Sequence, residues 1–131
     1  DLWISVFLFT FENIDFKKMS AFLDCIKHQK GRFNIEIVWL DTSLTDYKEI
    51  RFLLDSFERN TRFTKMTYHQ FLKIDEKHYE HYIEIGKMLC NGSVVFLANL
   101  NNLLNPTFIQ TKINQMLENK TLSEERTFIT I

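Results

Sequence analysis

Glycine and proline are scarce in this chain, which has three glycines and one proline in 131 residues. Gly31, Gly86 and Gly92 stand apart from one another, so neither a Gly-x-Gly-x-x-Gly turn nor a Walker A loop can be written. That argues against dinucleotide-type Rossmann proteins and P-loop nucleotide hydrolases, whose phosphate cradles need those glycines. A charge excess is lacking too. Sixteen Lys plus Arg face seventeen Asp plus Glu, for a net charge of −1. Nucleic acid and anionic membranes both reward a strong basic excess, so neither is expected as a main partner. No apolar run reaches the length of about 18 residues that a spanning helix needs, and no signal-peptide pattern opens the chain. Cys25 and Cys90 form no Cys-x-x-Cys motif. They read as buried reduced thiols, which suits a reducing compartment and gives a cytoplasmic expectation.

What is present is globular. Hydrophobic residues make up 45% and charged residues 25%, too apolar for a disordered tail. The length fits a single domain over residues 1–131, expected to be a fragment of a longer chain. Trp3-Ile4-Ser5-Val6-Phe7-Leu8-Phe9 is almost continuously apolar, as a strand covered on both faces would be. Phe16, Met19, Phe22, Leu23 and Ile26 recur at helical spacing, with Asp15 as N-cap and Gly31 closing the turn. Ile35 to Leu40 reads as the second strand. Asp46 and Glu49 make a capping-box-like start to a helix carrying Ile50, Leu53, Leu54 and Phe57.

A weaker strand is predicted from Phe63 to Tyr68, and a helix from Asp75 to Asn91 with Tyr79, Tyr82, Ile83, Gly86 and Leu89 on one face. Ser93 to Leu97 reads as a buried strand. Asn105-Pro106 suits an N-cap and first helical position, opening a helix with Phe108, Ile109, Ile113, Met116 and Leu117 inward. Thr127 to Ile131 closes the series as a strand. This alternation predicts an α/β fold: a three-layer α/β/α sandwich around a mostly parallel, Rossmann-like sheet. The first, second and fourth strands should be central. Ligands of such sheets bind at the carboxyl ends of the strands. Here those ends carry Phe9-Thr10-Phe11-Glu12, Asp41-Thr42 and Asn99-Leu100-Asn101-Asn102, which should meet at one rim.

These residues resemble the inverting, family 2-type nucleotide-sugar glycosyltransferases of GT-A fold, in their N-terminal, donor-binding half. The family's first strand ends in Pro-Thr-Tyr-Asn, matched by Phe9-Thr10-Phe11-Glu12. Cys25-Ile26-Lys27-His28-Gln29 matches a helix that ends near Gln, and Glu36-Ile37-Val38-Trp39-Leu40-Asp41-Thr42-Ser43-Leu44-Thr45-Asp46 matches the second strand with its acidic turn. Gly92 to Leu97 and the run to Pro106 follow the family's glycine, strand, Asp-x-Asp and proline. The resemblance spans residues 3 to 118.

It implies a domain that binds a nucleotide-diphosphate sugar for transfer to an acceptor hydroxyl on a glycan, lipid or protein. Phe9, Thr10, Phe11, Glu12, Asp41 and Thr42 would hold the nucleoside, and Asn99 and Asn101 would face a divalent cation, Mn²⁺ or Mg²⁺. The family's paired Asp is Asp41-Thr42 here, its Asp-x-Asp is Asn99-Leu100-Asn101, and its Arg-Asn pair is Ile83-Glu84. Its catalytic base normally lies in a second half beyond residue 131, so no catalytic residue is assigned. Two readings follow: the donor half of a glycosyltransferase, or an impaired GT-A-like binding or scaffold module that has lost its metal carboxylates. Asp41 remains open between a donor contact and a cap on its own loop, and the Asn cluster between a metal site and a polar turn.

Overall fold

The structure, a computed structural model, describes residues 2–43, 45–58, 64–71, 76–119 and 126–131. Five strands, β1 (Leu2–Thr10), β2 (Phe33–Asp41), β3 (Thr64–Gln70), β4 (Val94–Leu97) and β5 (Thr127–Thr130), pair in parallel in the order β3-β2-β1-β4-β5. The expected central trio is therefore β2, β1 and β4. Four α-helices alternate with them: α1 (Phe16–Lys27), α2 (Tyr47–Glu58), α3 (Tyr79–Leu89) and α4 (Phe108–Glu118).

The apolar runs are explained by burial on both faces of the sheet. Ile4, Val6 and Leu8 of β1 point to one side with Ile35, Ile37 and Trp39 of β2, where residues of α1, α2 and α4 cover them. Phe7, Val38, Leu40 and Val95 point to the other side, under Tyr82 and Ile83 of α3. This gives the three layers, with three helices on one face and one on the other.

That distribution carries an irregularity. The steps from β1 to β2 and from β4 to β5 run in opposite directions across the sheet, yet α1 and α4 lie on the same face. The two helices thus sit on opposite hands of their strands, against the usual uniform handedness. The cause is visible in the residues between β4 and α4, which run along α1 and are pinned to it. Lys18 Nζ donates to Asn101 Oδ1 at 3.1 Å, Leu104 N donates to Cys25 Sγ at 2.9 Å, and Gln29 Nε2 donates to the Asn105 carbonyl at 2.6 Å. Gln29 Oε1 then accepts from Ile109 N at 3.2 Å, seating α4 beside the end of α1.

Local starts and stops follow the side chains. Asp15 caps α1 by accepting from Lys17 N and Lys18 N. Asp46 Oδ1 accepts from Lys48 N at 2.9 Å at the start of α2. Asn105 Oδ1 accepts from Thr107 N at 3.1 Å, as a cap would, but α4 begins only at Phe108 with Thr107 as its N-cap. Asn105 and Pro106 therefore form the turn ahead of the helix. In α3 the last residue is Leu89, because Cys90 is extended and Asn91 is drawn toward Glu36. A 3-10 turn, Glu76–His78, precedes α3, and the predicted strand and helix starts at Phe63 and Asp75 lie outside the described residues. Leu89 and Leu117, expected inward, are both exposed. No helix among the described residues is long and apolar enough to cross a membrane.

Candidate functional site

Strand order fixes where a crevice must open. From β1 the chain steps one way to β2 and β3, then returns to place β4 on the opposite side of β1. The strand order reverses between β1 and β4, which makes their carboxyl ends the topological switch point, although both connections lie on the α1 face. A cavity of about 640 Å³ lies there, lined by Phe9 to Asp15, Lys18, Leu97 to Asn101, Thr130 and Ile131. Four expected donor-site residues, Phe9, Thr10, Phe11 and Glu12, line it together with Asn99 and Asn101.

Each wall has a local cause. Phe9 and Phe11 pack with Tyr79 at centroid distances of 5.4 and 4.9 Å, so an aromatic cluster backs the strand end. Glu12 has φ of 60°, a left-handed conformation that a non-glycine residue adopts at a cost. It turns the chain sharply toward the Asp15 cap. Across the cavity, Asn99 Oδ1 accepts from Asn101 N at 3.0 Å, and the Asn99 carbonyl accepts from Asn102 N at 3.0 Å. These bonds close the turn after β4.

Asp41 and Thr42 stand behind this wall and not in it. Asp41 is fully buried and Thr42 is 2% exposed. Asp41 Oδ1 accepts from Thr10 Oγ1 at 2.8 Å and from Ser43 N at 2.9 Å, while Oδ2 accepts from Tyr68 OH at 2.6 Å. Trp39 Nε1 donates to Thr10 Oγ1 at 2.8 Å, completing that hydroxyl's bonding. Thr42 donates its amide to the Thr10 carbonyl at 2.8 Å and its hydroxyl to the same oxygen at 3.2 Å. Both residues thus fix the end of β1, and Asp41 ties three strands together. Burial, then the hydrogen bond to Asp41 and the charge of that carboxylate, push the Tyr68 hydroxyl's pKa far up, so it stays a donor.

A second buried carboxylate sits on the α3 face. Glu36 accepts from Ser5 Oγ at 2.6 Å, Asn91 N at 2.8 Å and Asn91 Nδ2 at 2.9 Å. Burial alone would raise its pKa, but these bonds outweigh burial and hold it below the usual carboxylate range. Ser5 Oγ also accepts from Gly92 N at 2.8 Å, and a Cβ on Gly92 would fall 2.5 Å from the Ser5 backbone nitrogen. Cys90 lies beside this network; burial, then the Glu36 charge, push its thiol up to about 11. The network joins the α3–β4 turn to the sheet, away from the rim cavity.

The metal expectation can be tested on the donors. Asn99 Oδ1 is used within its own turn, and Asn101 Oδ1 accepts from the Lys18 ammonium. An ammonium beside the second carboxamide repels a divalent cation, and carboxamides supply no charge to offset that. Asn99 and Asn101 as arranged do not fit such a cation. Ile83, at the family's arginine position, packs inward with Tyr82 and brings no charge. Among the described residues no group of three or more His, Cys, Asp or Glu side chains is placed to hold a metal. Lys18 escaped the sequence reading because an exposed Lys on the outer turn of a helix carries no signal of what faces it.

The fold and cavity define a Rossmann-like α/β chain with a crevice of mixed polar and apolar lining at its switch point. Comparison with known proteins finds no matching family model, no matching curated protein and no matching solved structure.

Proposed function

We propose that the chain is the donor-binding half of a GT-A-like glycosyltransferase, whose rim cavity takes a nucleotide-diphosphate sugar for transfer to an acceptor hydroxyl. The observation that carries this reading is the meeting of Phe9–Glu12 with Asn99 and Asn101 across one switch-point cavity of about 640 Å³, large enough for a small-molecule ligand. In this reading the exposed Phe11 ring offers a face for the nucleobase, and Glu12 accepts from a sugar or ribose hydroxyl. Asp41 and Thr42 act at one remove, by holding Thr10. The base that activates the acceptor would come from residues outside this chain.

The position of Lys18 favours a second reading, a GT-A-like binding module without transfer activity. The positions that match the family's carboxylate pair are Asn99 and Asn101, so the leaving-group chemistry that depends on that pair lacks its carboxylates there. Calorimetric titration with UDP-, GDP- and dTDP-glucose tests the donor reading. Binding of at least one, lost when Ala98→Phe fills the cavity, is the expected result. Binding unaffected by Ala98→Phe, or no binding of any nucleotide sugar, would refute it. Release of free or transferred sugar would then separate enzyme from binding module.

A further inference from the structure

We infer that Lys18, and not a metal ion, neutralises phosphate in the rim cavity, so that the chain binds a nucleoside diphosphate without a divalent cation. The inference rests on the donor reading above and adds the means of charge neutralisation to it. Lys18 is the one basic side chain lining the cavity among the described residues. It rises from the first turn of α1, and its ammonium meets Asn101 Oδ1 at 3.1 Å, at the position of the family's metal motif. One of its three donors is engaged there, leaving two for a ligand.

The remaining charges make Lys18 decisive. Glu12 and Asp15 also line the cavity. Asp15 Oδ1 is committed to the amides of Lys17 and Lys18, but its charge remains. Without the ammonium, the charged side chains lining the cavity would be the carboxylates of Glu12 and Asp15. With it, a charge-assisted bond forms at a place where Asn101 holds the donor in position. Asn in place of Asp is then consistent with the arrangement: a carboxylate at residue 101 would pair with Lys18 and cancel the charge that phosphate needs.

The two mechanisms predict opposite signs for one substitution, which makes the test sharp. UDP, GDP and ADP are titrated by calorimetry into the wild-type chain, Lys18→Met and Asn101→Asp, once in EDTA and once in Mn²⁺. The expected result is binding of at least one nucleotide in EDTA, unchanged by Mn²⁺. Lys18→Met should weaken it by about tenfold or more, and Asn101→Asp should weaken it as well. Circular dichroism checks that each variant is folded, which an exposed Lys on a helix surface favours. Binding that requires Mn²⁺ and strengthens in Asn101→Asp would overturn the inference and leave the donor reading standing. Wild-type affinity in Lys18→Met would overturn it in the same way. No binding of any nucleotide in either condition would remove both.

Discussion

Thr10 and Asp41 face each other in the register of β1 and β2, and their side chains share a hydrogen bond of 2.8 Å at the rim. Tyr68 of β3 joins them through the second carboxylate oxygen, so one buried Asp aligns the ends of three strands. Replacing it leaves the Thr10 hydroxyl, the Ser43 amide and the Tyr68 hydroxyl without their acceptor. Asp41→Ala should cost about 3 kcal/mol, and Tyr68→Phe about 2 kcal/mol, the size of one bond to a charged group. Urea denaturation measures both. Changes under about 0.5 kcal/mol would mean that the carboxylate is not the rim's staple.

Glu36 makes stability depend on acid. Its folded pKa lies below the ordinary value of 4.5, so the unfolded chain binds that proton more tightly. Its contribution is complete above the ordinary value and is lost as pH falls through the lower, folded one. Unfolding free energy, measured from neutral to strongly acidic pH, should decline across that window in the wild type. Glu36→Gln should flatten the decline, and an equally steep decline in the variant would assign it to other carboxylates.

The thiols should be inert in the folded state. Cys90 has no exposure and a thiol pushed up to about 11. The Cys25 thiol is also raised, first by burial, and it bonds both the amide and the carbonyl of Leu104. Alkylation by iodoacetamide at pH 8 should be slow for both residues until denaturant is added. Rapid labelling of Cys90 in the native chain would mean that the α3–β4 turn opens readily.

Metal binding should be recoverable by design, but only once the ammonium is gone. Asn99→Asp with Asn101→Asp supplies two carboxylates, yet Lys18 remains within reach of residue 101. Adding Lys18→Met to that pair should give Mn²⁺ binding by calorimetry that exceeds the wild type and the double variant alike. A double variant that already binds as tightly as the triple would show that Lys18 does not contest the site.

The parts of this account that a sequence discloses are those fixed by neighbours in the chain. The unbroken apolar run of β1 is visible because both faces are buried, and Asp15 is visible as a cap because its acceptors' donors lie two and three residues on. Asp41 is different. A carboxylate at a strand end looks the same whether it greets a ligand or holds the sheet, and its partners Thr10 and Tyr68 are 31 and 27 residues away. Lys18 and Asn101 are 83 residues apart and meet only because the chain after β4 runs along α1. The helix face chosen by α4 has the same origin. Handedness rules would have placed α4 with α3, and the Gln29, Asn105 and Ile109 bonds that decide otherwise are long-range.

The donor reading requires ligand to enter the crevice between β1 and β4. Amide chemical-shift mapping with UDP-, GDP- and dTDP-glucose tests it most directly. Shifts should be confined to Thr10–Asn13, Ala98–Asn101 and Lys18 and should saturate with ligand. Saturable shifts clustered instead in the groove between α1 and α2, around Ser20, Phe52 and Leu53, would contradict it.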